Sequence, residues 1–152
     1  MASALEKWVD ESARLTKPAQ IVYCDGSQAE YDRLVAAMLA DGTFIPLNEK
    51  KHPRSYLHRS NPNDVARTEG LTFICTRRKD DAGPTNNWMA PEEAKDKVHP
   101  IFDGAMKGRT MYVVPYIMGP ADSPYSQVGV EITDSPYVVA SMRVMSRMGR
   151  VA

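Results

Sequence analysis

The chain has 152 residues, enough for one domain with a real core, and its 19 basic residues balance 19 acidic ones. A formal charge of zero argues against a chain built to neutralise nucleic-acid phosphates or an anionic membrane. No apolar run approaches the roughly 20 residues of a membrane helix, and the charged opening "MASALEKWVDESARL" does not read as a signal peptide.

The spacing predicts a first helix over residues 3 to 15, with Ser3 and Glu6 placed as a capping box and Pro18 ending it. "QIVYC" (20–24) is a short apolar strand. "DGS" (25–27) is a turn, and Ser27 with Glu30 reads as a second capping box. The helix it opens carries Tyr31, Leu34, Val35, Met38 and Leu39 on one face and stops at Gly42. "TFIPL" (43–47) is a strand, so the front of the chain alternates α-β-α-β. Residues 48–60 form a polar, basic excursion with a short edge strand at "SYLHR".

"LTFICT" (71–76) reads as a strand and "RRKDDAGPTNN" (77–87) as a loop. A helix starts at Pro91, a favoured first position, with Glu92 and Glu93 at its positive end, and finishes by Gly104. "RTMYVVPYIMG" (109–119) is the most strand-like run, with Pro115 marking a bend or a missing neighbour. "QVGVEIT" (127–133) alternates as a half-exposed antiparallel strand does. Ser135 and Pro136 open a last helix over 137–149, apolar on most of its circumference through Val138, Val139, Met142, Val144, Met145 and Met148. Such a helix belongs inside something larger: an oligomer, or a longer protein of which this is the front. The elements together predict an α/β (α+β-like) fold, a mixed sheet with helices packed on it, with no repeat and no second domain.

Chemistry is sparse. The chain has no GxxxxGK[ST] phosphate loop, no GxGxxG after a strand, no GxSxG elbow and no metal-ligand spacing of histidines or cysteines. His52, His58 and His99 read as surface residues, and Asp80 and Asp81 as part of a solvated charged loop. Cys24 and Cys75, with no CxxC, read as small core residues of a protein in a reducing cytoplasm. Lys107 and Arg109 read as helix-end or ion-pair charges, and Arg143 and Arg147 as partners for acids outside this stretch. Arg67, in "NPNDVARTEG", stands at the mouth of a predicted strand. Its planar guanidinium suits a carboxylate or phosphoryl group, while a surface salt bridge with Asp64 or Glu69 is equally open to it.

Several non-periodic stretches carry a resemblance. "FDGAMKGRTMYVVPYIMGP", "GVEITDSPYVVASMRVMSRMG", "YCDGS", "DVARTE" and "AGPTNNWM" stand in the order found in GTP-dependent phosphoenolpyruvate carboxykinases. The chain resembles the leading part of that family's N-terminal domain from the first strand onward. The resemblance implies the N-terminal lobe of that fold, with the nucleotide-binding domain outside these 152 residues. It also implies an enzyme that turns oxaloacetate and GTP into phosphoenolpyruvate, GDP and CO2, with Mn2+ (or Mg2+) and a P-loop supplied further along. Arg67 then matches a substrate-binding arginine, and Glu69 a position associated with the active-site lid. No catalytic or metal-binding residue is expected in this stretch, no cofactor is expected to bind it alone, and it is expected to be inactive by itself. Its expected partners are oxaloacetate or phosphoenolpyruvate, and either the rest of the enzyme or a second copy packed on helix 135–149. A stand-alone binding or dimerisation module derived from the domain is the alternative.

Overall fold

The computed structural model describes residues 3–61 and 68–152. Arg67, with residues 62–66, lies outside that description. The central feature is a mixed sheet organised on one long strand. β1 (Gln20–Tyr23) runs parallel to β6 (Thr110–Met118), and β7 (Gln127–Thr133) runs antiparallel along the opposite edge of β6. β8 (Arg147–Met148) pairs antiparallel with Tyr116 and Ile117, so β1 and β8 share one edge of β6 end to end.

Pro115 sits at the junction of those two. Val113 accepts a bond from the Cys24 amide at 2.9 Å on this edge. Residues two apart point the same way, so the Pro115 nitrogen also faces this edge, between β1 (paired to Val113) and β8 (paired from Tyr116). The missing N–H falls where no strand needs it, as the sequence anticipated.

Helices cover both faces. Alternation along β6 sends Met111 and Val113 towards Val9 of α1 (Ala4–Thr16), with Met106, Val130 and Ile132 around them. Val114, Tyr112 and Tyr116 point the other way, against Leu34, Val35 and Met38 of α2 (Gln28–Ala40) and Val139 and Ala140 of α4 (Pro136–Met145). α3 (Pro91–Phe102) lies beside α1. The mixed sheet with packed helices is therefore as expected, and so is the first capping box: Ser3 donates its amide to Glu6 Oε2 at 2.6 Å and Ser3 Oγ accepts from Glu6 N at 3.2 Å.

Several expectations change. The last helix ends at Met145, not at residue 149; Met148 returns as a buried strand residue against the sheet. An apolar side chain at that place fits either period, and the β6 edge beside Pro115 takes it. Val139 and Ala140 are buried, while Val144 and Met145 are each 79% exposed. "LTFICT" shrinks to β4 (Phe73–Ile74), which pairs in parallel with β5 (Asn87–Trp88), inside and just beyond a stretch expected to be loop. "SYLHR" and "TFIPL" contribute β3 (Tyr56–Leu57) and β2 (Ile45–Pro46), a two-stranded antiparallel pair outside the main sheet. Cys24 is buried but Cys75 is exposed. His58 is not an ordinary surface residue: it stacks on Tyr137 with centroids 3.9 Å apart, and its Nδ1 stands 3.0 Å from the Thr43 carbonyl.

Candidate substrate-binding site

The segment that leads away from position 67 is a tightly bonded turn. Residues Glu69–Leu71 form a single 3-10 turn in which Leu71 N donates to the Thr68 carbonyl at 2.9 Å and Thr72 N to the Glu69 carbonyl at 3.2 Å. Thr72 Oγ1 adds a bond to the Thr68 carbonyl at 3.1 Å. Glu69 itself is exposed. This turn rests on the β4–β5 pair. Asn87 Nδ2 donates to the carbonyls of Glu69 (2.9 Å) and Thr72 (3.3 Å). Trp88 Nε1 donates to the Thr76 carbonyl at 2.9 Å, and Asn86 Nδ2 to the Ala82 carbonyl at 2.7 Å. Three successive side chains therefore spend their N–H groups on backbone carbonyls of a loop-rich region.

A second polar constellation lies at the end of β1. The buried Glu30 carboxylate accepts from the amides of Asp25 (2.9 Å) and Gly26 (3.1 Å). Asp25 Oδ1 accepts from Ser27 N at 2.8 Å, and Ser27 Oγ from Glu30 N at 3.1 Å. So the expected second capping box is only half made: Ser27 caps α2, but Glu30 reaches past the Ser27 amide to the two before it. Bonds from Ser27 hold the Asp25 carboxyl below its usual range. Burial, with Glu30 and Asp25 close by, pushes the Cys24 thiol up to about 12.

Three of the sequence-noted arginines are committed within the chain. Arg109 pairs with Asp134 at 2.8 Å and also donates to the Ala105 carbonyl. Arg143 donates to Gln28 Oε1 at 2.9 Å and lies 4.9 Å over the Tyr31 ring, and Arg147 donates to the Gly119 carbonyl at 2.8 Å. Arg143 and Arg147 thus bond to groups of this chain, where acids from elsewhere were expected. A cleft of about 800 Å³ between α1, α3 and the end of β7 is walled by Trp8, Val98, Phe102 and Met106, with His99 and the Arg109–Asp134 pair at its polar side. It contains neither Glu69 nor Asn87, and sequence reading did not single it out.

The family model for the phosphoenolpyruvate carboxykinase N-terminal domain matches residues 7–152. The chain belongs to that family. Curated relatives agree: it is 59% identical over 145 residues to "Phosphoenolpyruvate carboxykinase [GTP]" of Anaeromyxobacter dehalogenans (strain 2CP-C), 56% to that of Chlamydia pneumoniae and 52% to that of Corynebacterium jeikeium (strain K411). In each case the match covers 95% of this chain and 24% of the relative. The chain thus spans about a quarter of the length of the carboxykinases it matches. The turn at Glu69 is the described element nearest in sequence to Arg67, and β4 is the next.

Proposed function

We propose that this chain supplies the substrate arginine of a GTP-dependent phosphoenolpyruvate carboxykinase, the lyase that decarboxylates oxaloacetate and phosphorylates the resulting enolate in gluconeogenesis. The observation that carries the reading is the family match across 7–152, joined by curated relatives that bear that enzyme's name. Arg67 binds the carboxylate or phosphate of oxaloacetate and phosphoenolpyruvate. Its guanidinium offers paired donors to such groups and stays charged at every working pH. Glu69 meets the lid when the site closes.

The nucleotide and metal belong to the longer protein. Among the described residues, no group of three or more histidine, cysteine, aspartate or glutamate side chains could hold a metal ion, so these residues do not fit the Mn2+ or Mg2+ site. No helix among the described residues is long and apolar enough to cross a membrane. On this reading the enzyme is cytoplasmic and its substrate a small molecule. The exposed Val144 and Met145 of α4 are covered by the remainder of the enzyme or by a second copy.

The test is a graft. Residues 7–152 replace the matching segment of the Anaeromyxobacter dehalogenans relative, and oxaloacetate decarboxylation is measured with GTP and Mn2+. The expected outcome is a hybrid that turns over with GTP and whose kcat/KM for oxaloacetate falls roughly tenfold or more on Arg67→Ala. A hybrid that folds with the parent's melting temperature but shows no turnover overturns the reading.

A further inference from the structure

We propose that Asp41–Gly42 is a modification site, at which the aspartate isomerises spontaneously to isoaspartate in the folded protein. The sequence holds three Asp-Gly pairs, at 25–26, 41–42 and 103–104, and an unfolded chain exposes all of them alike. In this reaction the glycine amide nitrogen attacks the aspartate Cγ. A five-membered succinimide closes, and the amide hydrogen leaves with the carboxyl hydroxyl as one water. A water then re-adds. At Cγ it restores aspartate; at the main-chain carbonyl it leaves the chain running through the side chain, with a free α-carboxylate. No oxidant or cofactor takes part.

The fold treats the three glycine amides differently. Gly26 N donates to Glu30 Oε1 at 3.1 Å, and its turn is sealed, since a Cβ there would stand 2.5 Å from the Met148 carbonyl oxygen. Gly104 N donates to the Leu15 carbonyl at 2.8 Å, while Asp103 is paired with Lys17 at 2.5 Å. Gly42 N has no acceptor among the described residues. Asp41 and Gly42 are both exposed, and nothing lies within 4 Å of where a Cβ on Gly42 would be. Asp41 Oδ1 accepts from Thr43 N at 2.8 Å, which folds the carboxyl back over the Gly42 peptide unit. Asp25 makes the same turn onto Ser27 N at 2.8 Å, so these two sites share that turn and differ at the amide. An amide already bonded must break that bond before it attacks, and a sealed turn resists the rotation that brings nitrogen to Cγ. Gly42 alone of the three meets neither obstacle. The product reaches the core: isoaspartate lengthens the main chain by one methylene between α2 and the buried Phe44. That residue's amide donates to the Met38 carbonyl at 2.8 Å, and its ring stacks on Tyr56.

The experiment ages the full-length enzyme that carries this segment for several weeks at neutral pH. An L-isoaspartyl methyltransferase with labelled S-adenosylmethionine then esterifies each new α-carboxylate, and mass spectrometry of proteolytic peptides locates it. In the native protein, label at position 41 is expected to accumulate at least about fivefold faster than at 25 or 103, the worth of one net hydrogen bond. In denaturant the three sites are expected to react at comparable rates. Asp41→Glu, whose ring would need six members, is expected to remove the signal at 41 and leave the other two unchanged. Native rates at 25 or 103 that match the rate at 41 overturn the proposal. So does a native protein that is silent at 41 while its unfolded form reacts there.

Discussion

The turn after β1 and the turn after position 67 solve the same problem in opposite ways. Each is a short acidic turn whose backbone groups are held by one side chain. At residues 25–27 the captured groups are amides, the captor is a carboxylate, and the bonds are part-buried, with Glu30 itself only 4% exposed. At 69–71 the captured groups are carbonyls, the captor is the Asn87 amide, and the bonds are exposed. The first turn is also sealed from outside. Gly149 presses its Cα against the Asp25 backbone with φ +80°, and a Cβ on Gly26 would stand 2.5 Å from the Met148 carbonyl. Water replaces a bond lost at the exposed second turn more readily than one lost at the part-buried first. The first therefore contributes more to the fold than the second.

The strongest way to break that contrast is Gly149→Ala. Its Cβ overlaps the carbonyl group of Asp25 and the amide of Gly26, all backbone, at a φ that only glycine adopts without strain. Thermal or urea unfolding is expected to show a loss of at least about 3 kcal/mol. A loss below about 1 kcal/mol would mean the two turns are equally tolerant. Next in size is Arg67→Ala in the full enzyme. Charge-assisted bonds are worth about 1.5–3 kcal/mol each, so kcat/KM for oxaloacetate should fall roughly ten- to a hundredfold or more with an unchanged melting temperature. Arg67→Lys should recover only part of this, since it keeps charge without the paired donors. A fall in melting temperature with intact kinetics would move Arg67 into the structural class.

Glu30→Gln sharpens the comparison from the buried side. The amide keeps one acceptor oxygen for two N–H groups, so one part-buried donor loses its bond at about 1 kcal/mol, read by chemical denaturation. No change would show that the carboxylate is dispensable there. The two cysteines report the same contrast at the smallest scale. A thiol reagent at neutral pH should label Cys75 alone in the native protein and Cys24 only on unfolding. Because the folded-state value of Cys24 is raised from 9.0 to about 12, folding favours its protonated form. Its contribution is therefore intact below about pH 9 and is lost as pH climbs towards about 12, which alkaline unfolding curves with and without Cys24→Ala would reveal.

Much of the fold was legible because local rules and tertiary demand agree. Ser3 and Glu6 cap α1, and the alternation of β7 matches its antiparallel place beside β6. Pro115 marked its own gap between β1 and β8. Legibility failed where long-range contact decides. Met148 satisfies a helical period, yet an open length of the β6 edge converts it to strand. Nothing local says that Glu30 will leave its capping partner for Asp25 and Gly26, or that Arg143 will find Gln28 and Tyr31. His58 looked solvated because its neighbours are basic, but Tyr137 arrives from α4 to stack on it. At the candidate site, Arg67 and Glu69 came from motif resemblance. The grip of Asn87 on Glu69 is an 18-residue contact that no spacing rule announces.

The parallel pairing of β1 with β6 sets a schedule for synthesis. Gln20 meets Thr110, 90 residues later, and at ~5–20 residues per second a ribosome needs roughly 5–20 s to bridge that interval. During this time the nascent chain holds Ile21 and Val22 on a strand with no partner, beside an α2 whose Leu34, Val35 and Met38 lack the Val114, Val139 and Ala140 that complete their core. The wait for Gly149 to close on Asp25 is longer still, so nearly all of residues 25–149 must emerge before this turn is sealed.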